Sequence, residues 1–553
     1  MKAEVRQRIH DALQACFREG TLTSGEVPEF TVEEPAQAGH GDLATNAAML
    51  MARAERKAPR QIAEILVTAL GDGEGLWSKI EIAGPGFINF FLAPTCWYAV
   101  LDRIMQEQLA FGRSRLGGGQ RVQVEFVSAN PTGPLHIGHG RGAAVGDAVA
   151  AVLEAAGFDV QREYYVNDAG NQVATLGNSI LVRLRELKGA AVEFPEDGYQ
   201  GEYIRDLAAR LNDEDAQVLE LPEEEALKRC AAFGIREVLE WIRQDLKAFG
   251  IEFDNWYSEQ SLYERDMVNT ELGKLADKGL SYEQDGALWF RTTAYGDDKD
   301  RVLIKSDGSP TYFASDVAYH MEKFERGFER VINVWGADHH GYVPRMKAVL
   351  AGLGHPPEDL EVLLIQMVNL LRDGQPFTMG KRSGNFITLR EVIDEVGSDA
   401  CRFFFLMRRA DSQLDFDLEL AKKQSNENPV YYVQYVHARV RSIQRNADEA
   451  GVATPKRGEV DFSCLVDDDE LALAKLMNRY PEVVEQAARG YEPHRVIYYL
   501  QELAALFHSY YNRQKVLVED QETARARLYL VECVRIVVAN ALTILGVSAP
   551  DRM

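Results

Sequence analysis

Two histidines, His136 and His139, stand three residues apart at the start of a segment that the sequence predicts to be helical. On a helix they share one face, beside N-terminal N–H groups that favour phosphate. The pair could be part of a metal site, or both rings could donate hydrogen bonds to a phosphoryl group during its transfer. Gly138 between them would let a base or ribose approach the backbone. Because no third ligand of suitable spacing follows, we expect no metal held by the protein.

A second candidate is the Gly/Ser-rich segment 377–385, which carries the lysine Lys381. By itself it could be an exposed basic loop. A third candidate is the pair Tyr312 and Asp316, which are four residues apart and would share a helix face. They could equally be a core tyrosine and a surface aspartate.

The histidine pair is positioned by a strand, a turn and a helix. Residues 122–127 are apolar and β-branched, the turn 131–134 reads Pro-Thr-Gly-Pro, and the small-residue helix that follows ends near Gly157. Further strands are predicted at 158–166, 302–304, 331–335 and 361–368, alternating with helices. This pattern predicts an α/β fold with a Rossmann-type parallel sheet. An acidic helical insertion is predicted at about 171–290, with its helical stretch over 171–250.

The flanking regions differ from this centre. A helix over 1–20, helical segments within 36–70 and a strand pair over 77–92 predict a small N-terminal α+β domain. From Glu391 onward only helices are expected, rich in basic and aromatic residues. That mixture suits single-stranded RNA but could also be an aromatic core with basic residues at its surface. We predict three domains: 1–112, 113–400 and an all-α domain over 401–553.

Composition excludes several classes. The chain has 553 residues and a net charge of −24, which argues against indiscriminate attraction to nucleic acid. Its six cysteines are scattered and contain no CxxC pair, so structural zinc and a disulfide framework are not expected. We find neither a membrane-length apolar run nor a signal peptide, and we therefore expect a cytoplasmic protein without membrane contact.

Taken together, the motifs resemble a known family. The tetrapeptide beginning at His136 is identical to the HIGH signature of class I aminoacyl-tRNA synthetases, and 378–382 resembles their KMSKS signature. This second motif keeps one lysine, Lys381, and has Thr378 in place of the other. Five more segments narrow the resemblance to bacterial-type arginyl-tRNA synthetases: 127–134, 311–319, 334–341, 432–439 and 549–553.

The resemblance implies ATP-dependent activation of L-arginine to arginyl-adenylate, followed by transfer to the 3′ end of tRNA(Arg). ATP, Mg²⁺, arginine and tRNA(Arg) are the implied ligands, and we expect a monomer. By motif match the catalytic residues are His136, His139 and Lys381. The implied ATP-binding residues are these three together with Gly138, Gly336, Asp338, His339, Met367 and Val368. The implied arginine-binding residues are Asn130, Glu259, Tyr312 and Asp316, and the implied tRNA-binding residues are Tyr432, Tyr435, Arg439, Tyr511 and Arg513.

Three alternatives stay open. Another class I synthetase, such as the cysteine or glutamate enzyme, shares both signatures, although cysteine enzymes usually carry a zinc set that is missing here. A small-molecule nucleotidyltransferase would not need the long aromatic and basic C-terminal region. A non-catalytic tRNA-binding paralogue would not be expected to keep His136, His139 and Lys381.

Overall fold

The computed structural model of the chain describes residues 1–35, 37–377 and 387–553. The chain divides into two compact units, and each unit combines segments that are distant in sequence. The first unit comprises 1–111, 442–479 and 506–536, and the second comprises 112–441, 480–505 and 537–553. All the predicted catalytic, ATP-binding and arginine-binding residues that the structure describes therefore belong to the second unit.

The N-terminal part of the first unit is a small α+β fold, as predicted. Its elements are α1 (Lys2–Glu19), β1 (Val32–Glu33), β2 (Leu43–Thr45), α2 (Ala47–Glu55), α3 (Pro59–Leu70), β3 (Trp77–Ala83), β4 (Phe87–Leu92) and α4 (Pro94–Glu107). The strands form an antiparallel sheet in the order β1-β2-β4-β3. The helix α1 buries Val5, Ile9 and Leu13, whose four-residue spacing gives the helix one apolar face.

The second unit contains most of the remaining elements. In chain order they are β5 (Arg121–Glu125), α5 (Ile137–Ala155), β6 (Asp159–Val166), α6 (Asn171–Leu187), α7 (Glu202–Glu214), α8 (Glu223–Ala248), β7 (Asn255–Ser258), α9 (Gln260–Glu264), α10 (Met267–Asp277), β8 (Ser281–Gln284), β9 (Ala287–Phe290), β10 (Arg301–Ile304), α11 (Tyr312–Glu325), β11 (Arg330–Gly336), α12 (Val343–Leu353), β12 (Leu360–Ile365), β13 (Val368–Arg372), β14 (Gln375–Pro376), α13 (Leu389–Val396), α14 (Ser398–Leu406), β15 (Leu414–Asp417) and α15 (Leu418–Lys422).

The centre of this unit is a parallel sheet with the strand order β12-β11-β5-β6-β7, which confirms the predicted α/β class. Four of the five predicted strands lie in it. The expectation for 302–304 was wrong, because these residues belong to β10, which pairs antiparallel with β9 in a separate three-stranded sheet. A three-residue apolar run does not specify its partner strand. Residues 255–258, inside the range 171–290 assigned to the insertion, form the edge strand β7.

One strand lies where only helices were expected. Residues Leu414–Asp417 form β15, which pairs parallel with β13, so the expectation of helices alone from Glu391 onward was wrong there. Its alternation of buried Leu414 and Phe416 with two aspartates spans only four residues, too few to distinguish a strand from a loop. Four long helices follow, as predicted: α16 (Pro429–Glu449), α17 (Asp468–Gly490), α18 (His494–Arg513) and α19 (Gln521–Ile544).

The small residues of α5 allow this helix to pack closely against its neighbours. A Cβ added at Gly146 would lie 2.3 Å from the Phe126 ring, and one added at Gly140 would lie 2.7 Å from Leu389. The helix α5 is therefore packed closely against Phe126, directly after β5, and against Leu389. None of the helices in the described parts of the chain has the length and apolar run that crossing a bilayer requires.

Candidate active site

The chain leaves β5 through a strained turn. Val127 and Ser128 have φ angles of +69° and +40°, although neither is glycine. Such a conformation costs about 1–3 kcal/mol per residue and persists only where the surroundings enforce it. The Ser128 hydroxyl donates to the Glu125 carboxylate at 2.9 Å and accepts the Tyr165 N–H at 3.2 Å. The turn brings the predicted ligand Asn130 to the end of the sheet.

His136 and His139 together cap the N-terminus of α5. The Nδ1 atom of His136 accepts the Gly138 N–H at 3.1 Å, and the Nδ1 atom of His139 accepts the His136 N–H at 3.3 Å. The two rings stack with their centroids 3.7 Å apart. Histidine therefore replaces the Ser/Thr and Glu pair of an ordinary capping box.

Burial favours the neutral form of both imidazoles. Burial lowers the pKa of His136, and burial together with the neighbouring His136 lowers the pKa of His139 to about 3. Because each Nδ1 accepts a hydrogen bond, a neutral ring must carry its proton on Nε2. The cap thus fixes the tautomer and makes each Nε2–H a donor for a ligand at the helix N-terminus.

Gly138 is needed for this arrangement, since a Cβ at that position would lie 2.9 Å from the His136 ring.

The same turn contacts the first described residues after the second signature. Ile137 donates its N–H to the Ile387 carbonyl at 3.2 Å, and Leu389 donates to the Leu135 carbonyl at 2.8 Å. Lys381 itself lies outside the described residues.

Two carboxylates of the predicted arginine site carry raised pKa values. Glu259 is 3% exposed, and burial together with the charge of Asp316 raises its pKa to about 7. Burial also raises the pKa of Asp316 to about 7, assisted by Glu125, while a hydrogen bond from the Tyr342 hydroxyl opposes the rise. Two neighbouring carboxylates in a low-dielectric site favour a cationic ligand.

A cavity of about 850 Å³ opens beside Glu259, and Asp316 and Asn130 are not among its lining residues. Its lining includes Glu259, Tyr312 and Tyr342, together with the cations Arg301 and Arg345. Tyr312 begins α11 and is 58% exposed, so its ring is available to a ligand. The cavity brings together Glu259 and Tyr312, two of the four predicted arginine-binding residues.

Sequence reasoning missed Asn167 and Tyr342. With its carboxamide oriented so that the nitrogen faces acceptors, Asn167 donates to Glu259 at 2.6 Å and lies 3.1 Å from the side chain of Asn130. Tyr342 donates to Asp316. A usable signal existed for Asn167, because polar residues directly after parallel strands lie at the binding edge of the sheet.

The predicted ATP-binding residues lie at two strand ends. Gly336 ends β11, and a Cβ there would be 2.4 Å from Asp338 Oδ1. Asp338 and His339 are both exposed, and Nε2 of His339 lies 3.6 Å from Oδ2 of Asp338. Met367, which is 78% exposed, directly precedes β13 and Val368 begins that strand.

The segment before Met367 is attached to α5 by a buried side chain. Arg141, two residues after His139, donates to the carbonyls of Gln366 and Ser412 at 2.8 and 2.7 Å and to that of Arg409 at 2.8 Å. The helix α5 therefore carries the histidine turn at its N-terminus and contacts the segment before Met367 through Arg141.

The predicted tRNA-binding residues belong to different units. Tyr432, Tyr435 and Arg439 lie on α16 in the second unit, where the Arg439 guanidinium sits 4.4 Å from the centroid of the Tyr435 ring. Tyr511 and Arg513 lie on α18 in the first unit, where Arg513 pairs with Asp469. Arginine and tyrosine are side-chain types on which the bases of single-stranded RNA can stack.

Comparison with known proteins places the chain in one family. Three sequence profiles match in succession: the arginyl tRNA synthetase N terminal domain over 3–92, the catalytic domain of tRNA synthetases class I (R) over 101–409, and the DALR anticodon binding domain over 433–553. The chain is 67% identical to the arginine–tRNA ligase of Syntrophotalea carbinolica over the whole of both chains. It is 50% identical to that of Geobacillus thermodenitrificans, covering 100% of this chain and 99% of the relative.

A solved structure has the same fold. The Thermus thermophilus arginyl-tRNA synthetase superposes with a TM-score of 0.75 at 24% identity, covering 100% of both chains. At that identity the likeness shows the fold alone, whereas the profiles and the relatives show the family. The chain therefore belongs to the arginyl-tRNA synthetase family.

Proposed function

We propose that this protein activates L-arginine with ATP and transfers it to the 3′ end of tRNA(Arg), releasing pyrophosphate and AMP. The observation that supports this best is the pair of carboxylates, Glu259 and Asp316, at the same sheet edge as the histidine cap. A planar guanidinium can meet carboxylates through paired N–H donors, which lysine cannot imitate. The site's chemistry thus favours arginine over other cationic amino acids.

In the first step, an oxygen of the arginine carboxylate attacks the α-phosphorus of ATP. A bond forms between them while the bond to the pyrophosphate leaving group breaks, and negative charge spreads over the α-phosphoryl oxygens. The Nε2–H groups of His136 and His139 would donate to these oxygens, and Lys381 would add a cation. Preorganised donors of this type contribute roughly 100- to 1,000-fold each in rate.

We assign arginine binding to four residues. Glu259 and Asp316 would hold the guanidinium, and Tyr312 would cover it from the cavity side. Asn130, at the end of the strained turn, would bind the amino acid's own ammonium or carboxylate. This places the reacting carboxylate toward the histidine cap, since Asn130 and His136 follow the same strand.

We assign ATP to the adjacent strand ends. Gly336, Asp338 and His339 would lie by the ribose and adenine, Met367 and Val368 would flank the base, and Gly138 would leave room beside the backbone. Mg²⁺ would enter bound to the ATP phosphates, since this ion retains waters and is usually held by few carboxylates. The described residues contain no group of three or more His, Cys, Asp or Glu side chains that could hold a metal ion.

We further propose that the C-terminal helices bind tRNA through Tyr432, Tyr435, Arg439, Tyr511 and Arg513. We also propose that the chain has three domains, which meet at residues 112 and 400. It acts as a monomer in the cytoplasm. Basic and aromatic side chains can bind a local stretch of RNA despite the net charge of −24.

The test is ATP–pyrophosphate exchange with each amino acid, with and without tRNA. Arginine alone should support exchange, and the same enzyme should then charge tRNA(Arg). Exchange supported by a different amino acid would overturn the proposed specificity. Absence of exchange under both conditions would favour a non-catalytic tRNA-binding protein.

A further inference from the structure

Asn167 lies between two of the proposed arginine-binding side chains. It directly follows β6, and its carboxamide nitrogen donates to Glu259 Oε2 at 2.6 Å and to the Ala169 carbonyl at 3.2 Å. In the same orientation the carboxamide oxygen lies 3.1 Å from the Asn130 atom assigned as Oδ1, so turning the Asn130 carboxamide as well places its NH₂ group toward this oxygen. One side chain therefore contacts both the residue assigned to the guanidinium and the residue assigned to the amino acid's backbone groups.

The next residue fixes the backbone around Glu259. The Asp168 carboxylate accepts the Ser258 hydroxyl at 2.6 Å and the Gln260 N–H at 2.9 Å, one residue on each side of Glu259. Glu259 itself donates its N–H to the Val166 carbonyl at 3.0 Å. With its backbone held on both sides, the orientation of the Glu259 side chain depends on the groups that contact its carboxylate.

We propose that Asn167 is a positioning residue for arginine specificity, which orients Glu259 and Asn130 at the distance that arginine spans. This inference rests on the proposed function. It adds a residue that contacts two of the side chains assigned to arginine binding, Glu259 and Asn130. A longer or shorter cationic amino acid would place either its ammonium or its terminal group out of reach.

The side-chain type agrees with this role. A carboxylate that is 3% exposed requires donors, because a buried anion without them is strongly disfavoured. Asn167 supplies a donor without a positive charge. An arginine or lysine at this position would neutralise Glu259 and remove the attraction that the substrate guanidinium needs. A carboxamide also has an acceptor end, and the Asn130 carboxamide, turned so that its nitrogen faces Asn167, can donate to it.

The test compares Asn167→Ala with a matched control, Asn269→Ala. Asn269 also donates to a carboxylate at 2.6 Å, that of Asp266, but on an exposed surface. Loss of a hydrogen bond to a charged group predicts that Asn167→Ala raises the KM for arginine by about 10- to 100-fold. The kcat at saturating arginine and the KM for ATP should stay within about threefold of the parent enzyme. The control should leave all three constants unchanged.

A double-mutant cycle separates positioning from a general structural role. If Asn167 acts through Glu259, then adding Asn167→Ala to Glu259→Ala should raise the KM for arginine little further. Additive effects, an unchanged KM in the single variant, or an equal loss for arginine and ATP would overturn the inference. The parent enzyme distinguishes failure of this inference from failure of the proposed function. If the parent enzyme shows no arginine-dependent exchange, the proposed function is refuted.

Discussion

His136 and His139 stack with their ring centroids 3.7 Å apart, and each accepts a backbone N–H of one helical turn through Nδ1, which assigns the proton of each neutral ring to Nε2. Burial lowers the pKa values of both rings and so favours their neutral forms. Neutral donors suit a reaction in which negative charge spreads over the α-phosphoryl oxygens in the transition state, because such donors add no permanent cation that would also stabilise the bound ground-state triphosphate.

Substitution of His139 tests this role. His139→Ala should lower kcat for arginine-dependent exchange by roughly 100- to 1,000-fold, as expected for one lost donor to the α-phosphoryl group. Arginine affinity, measured by calorimetry, should stay close to that of the parent enzyme. Equal losses of rate and of arginine affinity would contradict the assignment.

Gly138 should be intolerant of a side chain. A Cβ there would lie 2.9 Å from the His136 ring, so Gly138→Ala must displace the ring or break its bond to the Gly138 N–H. We expect kcat to fall by about tenfold or more, comparable with the loss of a good hydrogen bond.

Gly142 in the same helix is the matched control, because a Cβ added there meets nothing within 4 Å. Gly142→Ala should keep full activity and stabilise the protein by up to about 1 kcal/mol through helix propensity. Equal activity of the two variants would show that the ring position does not matter.

Lys381 is assigned from the second signature alone. Lys381→Ala should reduce arginine-dependent exchange to near background, since the proposed cation would no longer offset the negative charge that spreads over the phosphoryl oxygens in the transition state. Lys228→Ala, which removes a surface lysine paired with Glu224, serves as the control. Near-normal exchange by Lys381→Ala would refute its proposed role.

The sequence predicted the parts of the fold that depend on long, regular patterns. The helix α1, the strand pair β3 and β4 and the four sheet strands with apolar runs were all identified, because periodicity repeats over several residues. The short strands β7, β10 and β15 were missed or misplaced. Their sheet partners are set by tertiary contacts, which four-residue segments do not encode.

In the candidate site, too, the sequence predicted the features that depend on motifs and missed those that depend on tertiary structure. Motifs located the histidines, Glu259 and Asp316, whereas the neutral state of the imidazoles depends on burial that no motif records. Asn167 was missed for a related reason. Its contacts with Asn130 and Glu259 join residues from three strand ends, and they exist only once the parallel sheet has formed.

Arginine binding should depend on pH through the two carboxylates. The pKa values of Glu259 and Asp316 are both raised to about 7, chiefly by burial, so both groups are largely protonated below that pH. The guanidinium stays charged throughout, and therefore arginine affinity should increase as pH rises from about 6 to about 8. A bound guanidinium favours the ionised carboxylates, so binding near pH 7 should release protons.

Calorimetry in two buffers of different ionisation enthalpy would measure that release, which should disappear by about pH 9 where both carboxylates are already ionised. The free protein should show the opposite trend in stability. Because these acids bind protons more tightly in the folded than in the unfolded state, their contribution to stability falls as pH rises from about 4 through about 7. Arginine affinity that stays constant between about pH 6 and about pH 8 would contradict the assignment of Glu259 and Asp316 to the guanidinium.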